Sequence, residues 1–364
     1  AMMEFYEKMM EGARKEIVAL AGGARLDEQG NVRLAGRMRL LAGGEAARAV
    51  AALEPPEADA LAKLPAEPFV AAFAGTLPEG VTEAMVQMSV QLMKSGFMPF
   101  GSSGKDSKKL MEMSAETMKG VRGMSFVLGV GKEKEPLYSS MVFVVQVDDA
   151  NAYLRRYEES VKAIAGMGKA EKTQWLRDTK VERTKVGDVD GLKVSIGIPL
   201  PPGMAYMPEL KQMMEKMMEK MYGPGGKIVT YLVPADEHTV VGGTTSTDAV
   251  IRTIRTIKQG QRGLAGDPQV AKTAAMLPAG APLVFYWSPQ GTADFARPMI
   301  ALFSDIGGGA GAPDVVPKFP ETPAVGAVIL KAPDELRLEA VVPAETLKAG
   351  AAYILKIQQG VPGF

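Results

Sequence analysis

The sequence predicts an α+β fold, a tandem duplication of a unit in which antiparallel hairpins pack with amphipathic helices. Three observations carry this expectation. Local similarities recur at nearly constant spacing, strand patterns arrive in pairs joined by short polar turns, and helical patterns fall between those pairs.

The similarities keep one order along the chain. Glu7-Lys8-Met9 matches Glu219-Lys220-Met221, 212 positions later. Ile17-Val18 matches Ile228-Val229 at a spacing of 211, and Leu64-Pro65-Ala66 matches Leu277-Pro278-Ala279 at 213. "ALAKLPAEPFVAAFAGTLPEG" (60–80) aligns as a whole with "TAAMLPAGAPLVFYWSPQG" (273–291). More loosely, 123–164 and 324–357 share the layout strand, polar turn, strand, helix. The expected units are 1–166 and 167–364. The hairpin at 181–199 has no counterpart before residue 1, so the first unit is expected to begin upstream of that residue.

Each element of the fuller unit follows from pattern and punctuation. Alternating apolar residues around Asp190-Gly191 predict a hairpin over 181–198. A helix over 207–222 is followed by a hairpin over 228–242. A helix over 247–258 is capped by Ser246 or Thr247, and a short helix over 268–276 has Asp267 as its cap and Pro268 at its first position. Leu277-Pro278 ends that helix, because proline disfavours helix at the residue before it. "PLVFYW" then gives a strand over 282–288, read as central and covered on both faces. A helix over 290–303, a hairpin over 324–342 and a helix over 344–357 complete the unit. "GGGAGAPD" (307–314) and "GFMPFGSSGKDSKK" (96–109) read as connectors.

Composition excludes several functions. Lys plus Arg equals Asp plus Glu at 42 each, so no net field attracts nucleic acid or anionic membrane. No apolar run approaches the roughly 18 residues of a membrane span. The absence of cysteine removes disulfides, zinc-thiolate sites and thiol nucleophiles together. The N-terminal "AMMEFYEKMM" lacks a signal-peptide layout.

The stretch 239–289 resembles a family of bacterial exported proteins known only as a domain of unknown function. The features that carry the resemblance are Thr244 to Thr247, Leu264, Asp267-Pro268 and Leu277-Pro278. The first half keeps Leu64-Pro65 and lacks the Asp-Pro step. The resemblance implies an extracytoplasmic location, periplasmic or secreted, and brings no catalytic residues.

Few residues point to chemistry. His238 is the sole histidine, in "VPADEHTVV", and reads as a solvated turn residue, with a weak metal contact through Asp236 and Glu237 as the alternative. "PFGSSGKDS" (99–107) fails as a phosphate loop, because Pro99 and Asp106 stand where glycine and Ser/Thr are needed. "GGGAGA" (307–312) follows a helix and so fails as a dinucleotide fingerprint. Asp148-Asp149 sits at a helix start and Asp188/Asp190 in a turn, where acidic residues have backbone reasons to be. Trp175 and Trp287 read as packing residues rather than a sugar platform.

The helix over 207–222 is the most distinctive feature. It places Met207, Met214, Met217, Met218 and Met221 on one face, opposite Lys211, Glu215, Lys216, Glu219 and Lys220. Its repeat counterpart supplies Phe5, Tyr6 and Met9. Such a face either fills a core or lines an adaptable groove for an apolar small molecule, a lipid or a protein. Copper coordination by thioethers is the least favoured reading, since histidine and cysteine are absent nearby. The function expected is a non-catalytic exported protein that binds an apolar ligand or a protein partner, with no cofactor or metal. A structural scaffold of the cell envelope is the alternative, and a carboxylate-dependent hydrolase the third.

Overall fold

A computed structural model describes residues 14–55, 60–77, 112–132, 134–171, 178–198, 208–306 and 317–360. Among these residues, twelve strands form one antiparallel sheet, in the order β1-β2-β12-β11-β10-β3-β4-β5-β9-β8-β7-β6. Those of the first half are β1 (Ile17–Leu26), β2 (Val32–Leu40), β3 (Phe69–Thr76), β4 (Val121–Gly129) and β5 (Met141–Val147). The second half supplies β6 (Lys180–Val186), β7 (Val189–Ile196), β8 (Ile228–Pro234), β9 (Thr239–Thr244), β10 (Leu283–Trp287), β11 (Val325–Ala332) and β12 (Glu335–Val342). The helices used below are α1 (Glu45–Ala51), α2 (Ala150–Glu171), α3 (Pro208–Tyr222), α4 (Thr247–Lys258), α5 (Pro268–Ala274), α6 (Pro289–Ile306) and α7 (Ala344–Gly360).

Exchanging β1–β5 with β8–β12 and reversing the direction leaves the first ten places of the strand order unchanged. The pivot lies between β3 and β10, where Phe73 pairs with Phe285, 212 positions apart (285 − 73). That distance is the spacing of the sequence similarities. The hairpin β6–β7 extends the sheet beyond the exchanged strands.

The pleat divides the sheet into two chemically different faces, because directly paired residues project to the same side. On one face, Ala72, Ala74, Val127, Val142, Val144, Val241 and Val233 pack beneath Val250 and Ile254 of α4, Val270 of α5, Leu64 and Leu264. Local rules place these helices. Ser246 accepts from the Asp248 N–H to cap α4, and Asp267 accepts from Gln269 and Val270 N–H to cap α5, with Pro268 at its first position. Replacing Asp267 by Ala is expected to cost about 0.5–2 kcal/mol, read as a lowered midpoint in urea unfolding.

On the other face, α2 covers the end of the sheet formed by β6, β7, β8 and β9 and reaches β5. Tyr153 and Leu154 pack there on Val145, Leu192, Leu232 and Val240. Burial pushes the phenols of Tyr153 and Tyr157 up from their ordinary value. A phenol raised in the fold contributes stability below its unfolded value, and that contribution is lost as pH rises past about 10. Thermal melts should therefore fall steeply in alkali, and Tyr153→Phe should flatten the fall.

The predicted elements appear at the predicted places, with two corrections. The β6–β7 turn falls at Gly187-Asp188, where Gly187 has φ +59°, and not at Asp190-Gly191. Gly191 lies inside β7, where a Cβ would overlap the Leu232 carbonyl of β8. Its glycine serves close approach between strands rather than a turn. The second correction concerns β10, which is central in the sheet but covered on one face only. Tyr286 is 3% exposed, while Phe285 and Trp287 are 43% and 40% exposed. An unbroken apolar run looks the same whether both faces are covered or one apolar face is left open. Both predicted connectors fall outside the described residues.

Candidate functional site

The partly open face carries a row of aromatic side chains across the middle of the sheet. Phe285 of β10 pairs with Phe73 of β3, Phe73 with Phe126 of β4, and Phe126 with Phe143 of β5. Phe143 is paired in turn with Gly242 of β9, and a Cβ at Gly242 would overlap the Phe143 ring. Glycine at this position makes room for the ring. A parallel row, Trp287, Ala71, Leu128 and Met141, lies one step along the strands on the same face. Phe73, Phe126, Phe143, Leu128 and Met141 are all half-buried. Toward β1 the face continues through exposed Leu338, Leu34 and Leu20. Phe285 and Trp287 are therefore the open members of continuous apolar rows rather than isolated exposed side chains.

Beside the Trp287 row opens a cleft of about 810 Å³. Pro68 precedes β3, Val130 follows β4 and Ser140 precedes β5, so the cleft sits at the ends of those three strands. Leu137 and Pro298 supply further apolar wall, and Lys132, Lys134, Lys220 and Arg297 supply cations. The acids there are engaged: Glu67 with Arg252, Asp294 with Arg297, and Glu135 as acceptor from the Ser139 hydroxyl. Its size is within the usual range for small-molecule sites.

The Met-rich helix α3 reaches this cleft through Lys220. Its C-terminal end is held by Leu137 and Tyr138 N–H groups, which donate to the carbonyls of Lys220 and Met221, and by stacking of Tyr138 on Tyr222 at 5.1 Å. Tyr138 also meets Phe295 of α6, at 5.8 Å between ring centroids. Met214, Met217, Met218 and Met221 are half-buried, neither sealed in a core nor laid open, while the charged face is exposed. Met207, Phe5, Tyr6 and Met9 lie outside the described residues.

The other sequence candidates take structural roles. The His238 ring lies 2.8 Å through Nδ1 from the Asp148 carbonyl, its backbone N–H donates to Asp236, and its own carbonyl accepts from Val147. It ties the β8–β9 turn to the end of β5. Asp148 forms a two-point pair with Arg122, and Asp149 accepts from the Ala152 N–H at the start of α2. The Ala152 bond holds the Asp149 carboxyl below the usual range. Glu158 bridges Lys162 and Arg183 at 2.6 and 2.8 Å, which joins α2 to β6 and lowers its pKa. The indole N–H of Trp287 donates to Thr292 of α6, so this ring is an exposed, anchored edge of the aromatic face. Trp175 lies outside the described residues.

Among the described residues, no three His, Asp or Glu side chains cluster as a metal site, and no helix is long and apolar enough to cross a membrane. The cleft leaves little trace in the sequence because its walls come from four separate segments, near 67, 130–140, 220 and 294–298. The charge run "GKEKEP" (131–136) is its one local signal. Compared with known proteins, the chain matches no family model, no curated protein and no solved structure.

Proposed function

We propose that this is a non-catalytic protein that binds an apolar molecule or a protein partner on the surface shared by the Met-rich helix and the sheet. The observation that carries the reading is the half-open row Phe285, Phe73, Phe126 and Phe143. Burying such side chains against a ligand releases roughly 25 cal/mol for each Å² removed from water. The methionines of α3 are half-buried and flexible, which suits them to ligands of varied shape. The described carboxylates with clear partners, Asp148, Asp149 and Glu158, serve caps and ion pairs, which weighs against hydrolytic chemistry. Native mass spectrometry of gently purified protein should show co-purified lipid or another apolar molecule. A uniformly ligand-free mass, together with no binding of added long-chain alcohol, would count against the reading.

The alternative, a scaffold role, is supported by the β1–β2 ribbon. β1 is exposed along nearly its whole length, with Leu20 and Leu26 at 68% and 70%, and open strand edges invite pairing. An extracytoplasmic location rests on the resemblance at 239–289. Duplication of one ancestral unit accounts for the symmetric strand order and the recurring sequence spacing together.

A further inference from the structure

We infer that the cleft at the ends of β3, β4 and β5 binds the anionic head of a single-chain amphiphile, a carboxylate or a phosphate, whose chain lies on the aromatic face. This rests on the apolar-binding reading above and adds the chemistry of the head group.

Three observations converge on an anion. Arg297 Nη2 is buried with no hydrogen-bond partner among the described residues. Asp294 engages the other nitrogen, Nη1, at 3.3 Å, which leaves one arm of the guanidinium fork unmet. A buried donor left without a partner costs about 1–3 kcal/mol, and because the Arg297 side chain lines the cleft and is partly exposed, a small rotation would offer the unmet arm to a ligand acceptor.

The ammonium groups of Lys132, Lys134 and Lys220 likewise have no ion-pair partner among the described residues, whereas the acids around them are engaged. Lys134 holds φ at +74°, a region that residues other than glycine seldom occupy. Backbone strain of this kind gathers at ligand clamps.

The rest of the cleft fixes the remainder of the ligand. Pro68, Val130, Leu137 and Pro298 make most of the remaining wall apolar, with Ser140 its one uncharged polar side chain. Val130 and Ser140 adjoin the strand ends that carry Leu128 and Met141, so the cleft and the Trp287 row share one end of the sheet. A planar carboxylate can take two bonds from a guanidinium, and a phosphate head offers more acceptors to the lysines.

The test is a titration of the Trp175→Phe protein, which leaves Trp287 as the sole tryptophan. A long-chain fatty acid, the alcohol of equal chain length, and a single-chain phosphate amphiphile are compared by the shift in indole emission. At least one anion should bind about tenfold or more tighter than the alcohol, a difference of about 1.4 kcal/mol. Which anion gains more identifies the head group. Arg297→Gln, and separately the pair Lys132→Gln/Lys134→Gln, should bring the ratio of anion to alcohol affinity down toward one, with melting curves confirming that each variant folds. Equal binding of alcohol and both anions would overturn the head-group inference and leave the apolar reading standing. Failure of all three to bind would overturn both.

Discussion

Leu264→Ala is expected to lower unfolding stability by about 3–5 kcal/mol, measured as the shift of the urea or thermal midpoint. Leu264 is fully buried in the larger core, beside Leu64, which is equally buried. The two are also joined through the backbone, the Leu264 N–H donating to the Leu64 carbonyl at 2.9 Å. Gly263, at φ +41°, lies so close that a Cβ would overlap the carbonyls of Ala62 and Leu64. A junction held this tightly on both sides has little freedom to collapse into a cavity, which puts the cost near the top of the usual range. Val250→Ala, in the same core but on the regular helix α4, should cost less, because fewer carbons are removed from the core.

Gly291→Ala is expected to destabilise by about 3 kcal/mol or more and to weaken binding in the cleft at the same time. Gly291 lies in the first turn of α6, where a Cβ would run into the Phe69 carbonyl at the start of β3. The obstructing atoms are backbone and cannot swing aside, so α6 must lift from the sheet. That helix carries Asp294, Arg297 and Pro298 into the cleft and Phe295 against Tyr138. Lifting it therefore separates Arg297 from the lysines. Gly23→Ala provides the control. Nothing lies within 4 Å of a Cβ there, and its φ is outside the left-handed region, so its effect should be near zero.

Much of the local structure is legible in the sequence because local chemistry determines it. Ser246, Asp267 and Pro268 announce two helix starts, and each cap forms with the donors its position implies. Alternation locates the hairpins, although two Gly-Asp or Asp-Gly steps three residues apart leave the β6–β7 turn to be settled by strand pairing. What stays hidden is long-range. The insertion of β10–β12 between β2 and β3 depends on register across the whole sheet, and no residue pattern in either half encodes it.

The candidate site is legible only at its border. The methionine face of α3 stands out because it is repetitive, and the structure leaves it half-buried, while the helix bounds the cleft through Lys220 of its opposite, charged face. The aromatic row does not stand out, because its members, Phe73, Phe126, Phe143 and Phe285, come from four strands and each looks like an ordinary core residue in its own segment. The open exposure of Phe285 and Trp287 emerges only once the sheet is assembled.

The most direct test of apolar binding is a crystal of the protein with a long-chain alcohol carrying bromine at its far end. The account predicts an anomalous bromine peak over the row formed by Phe285, Phe73 and Phe126, with the hydroxyl end toward Arg297. A peak inside the core beneath α4, or no ordered bromine under conditions where the alcohol saturates the protein, would contradict it.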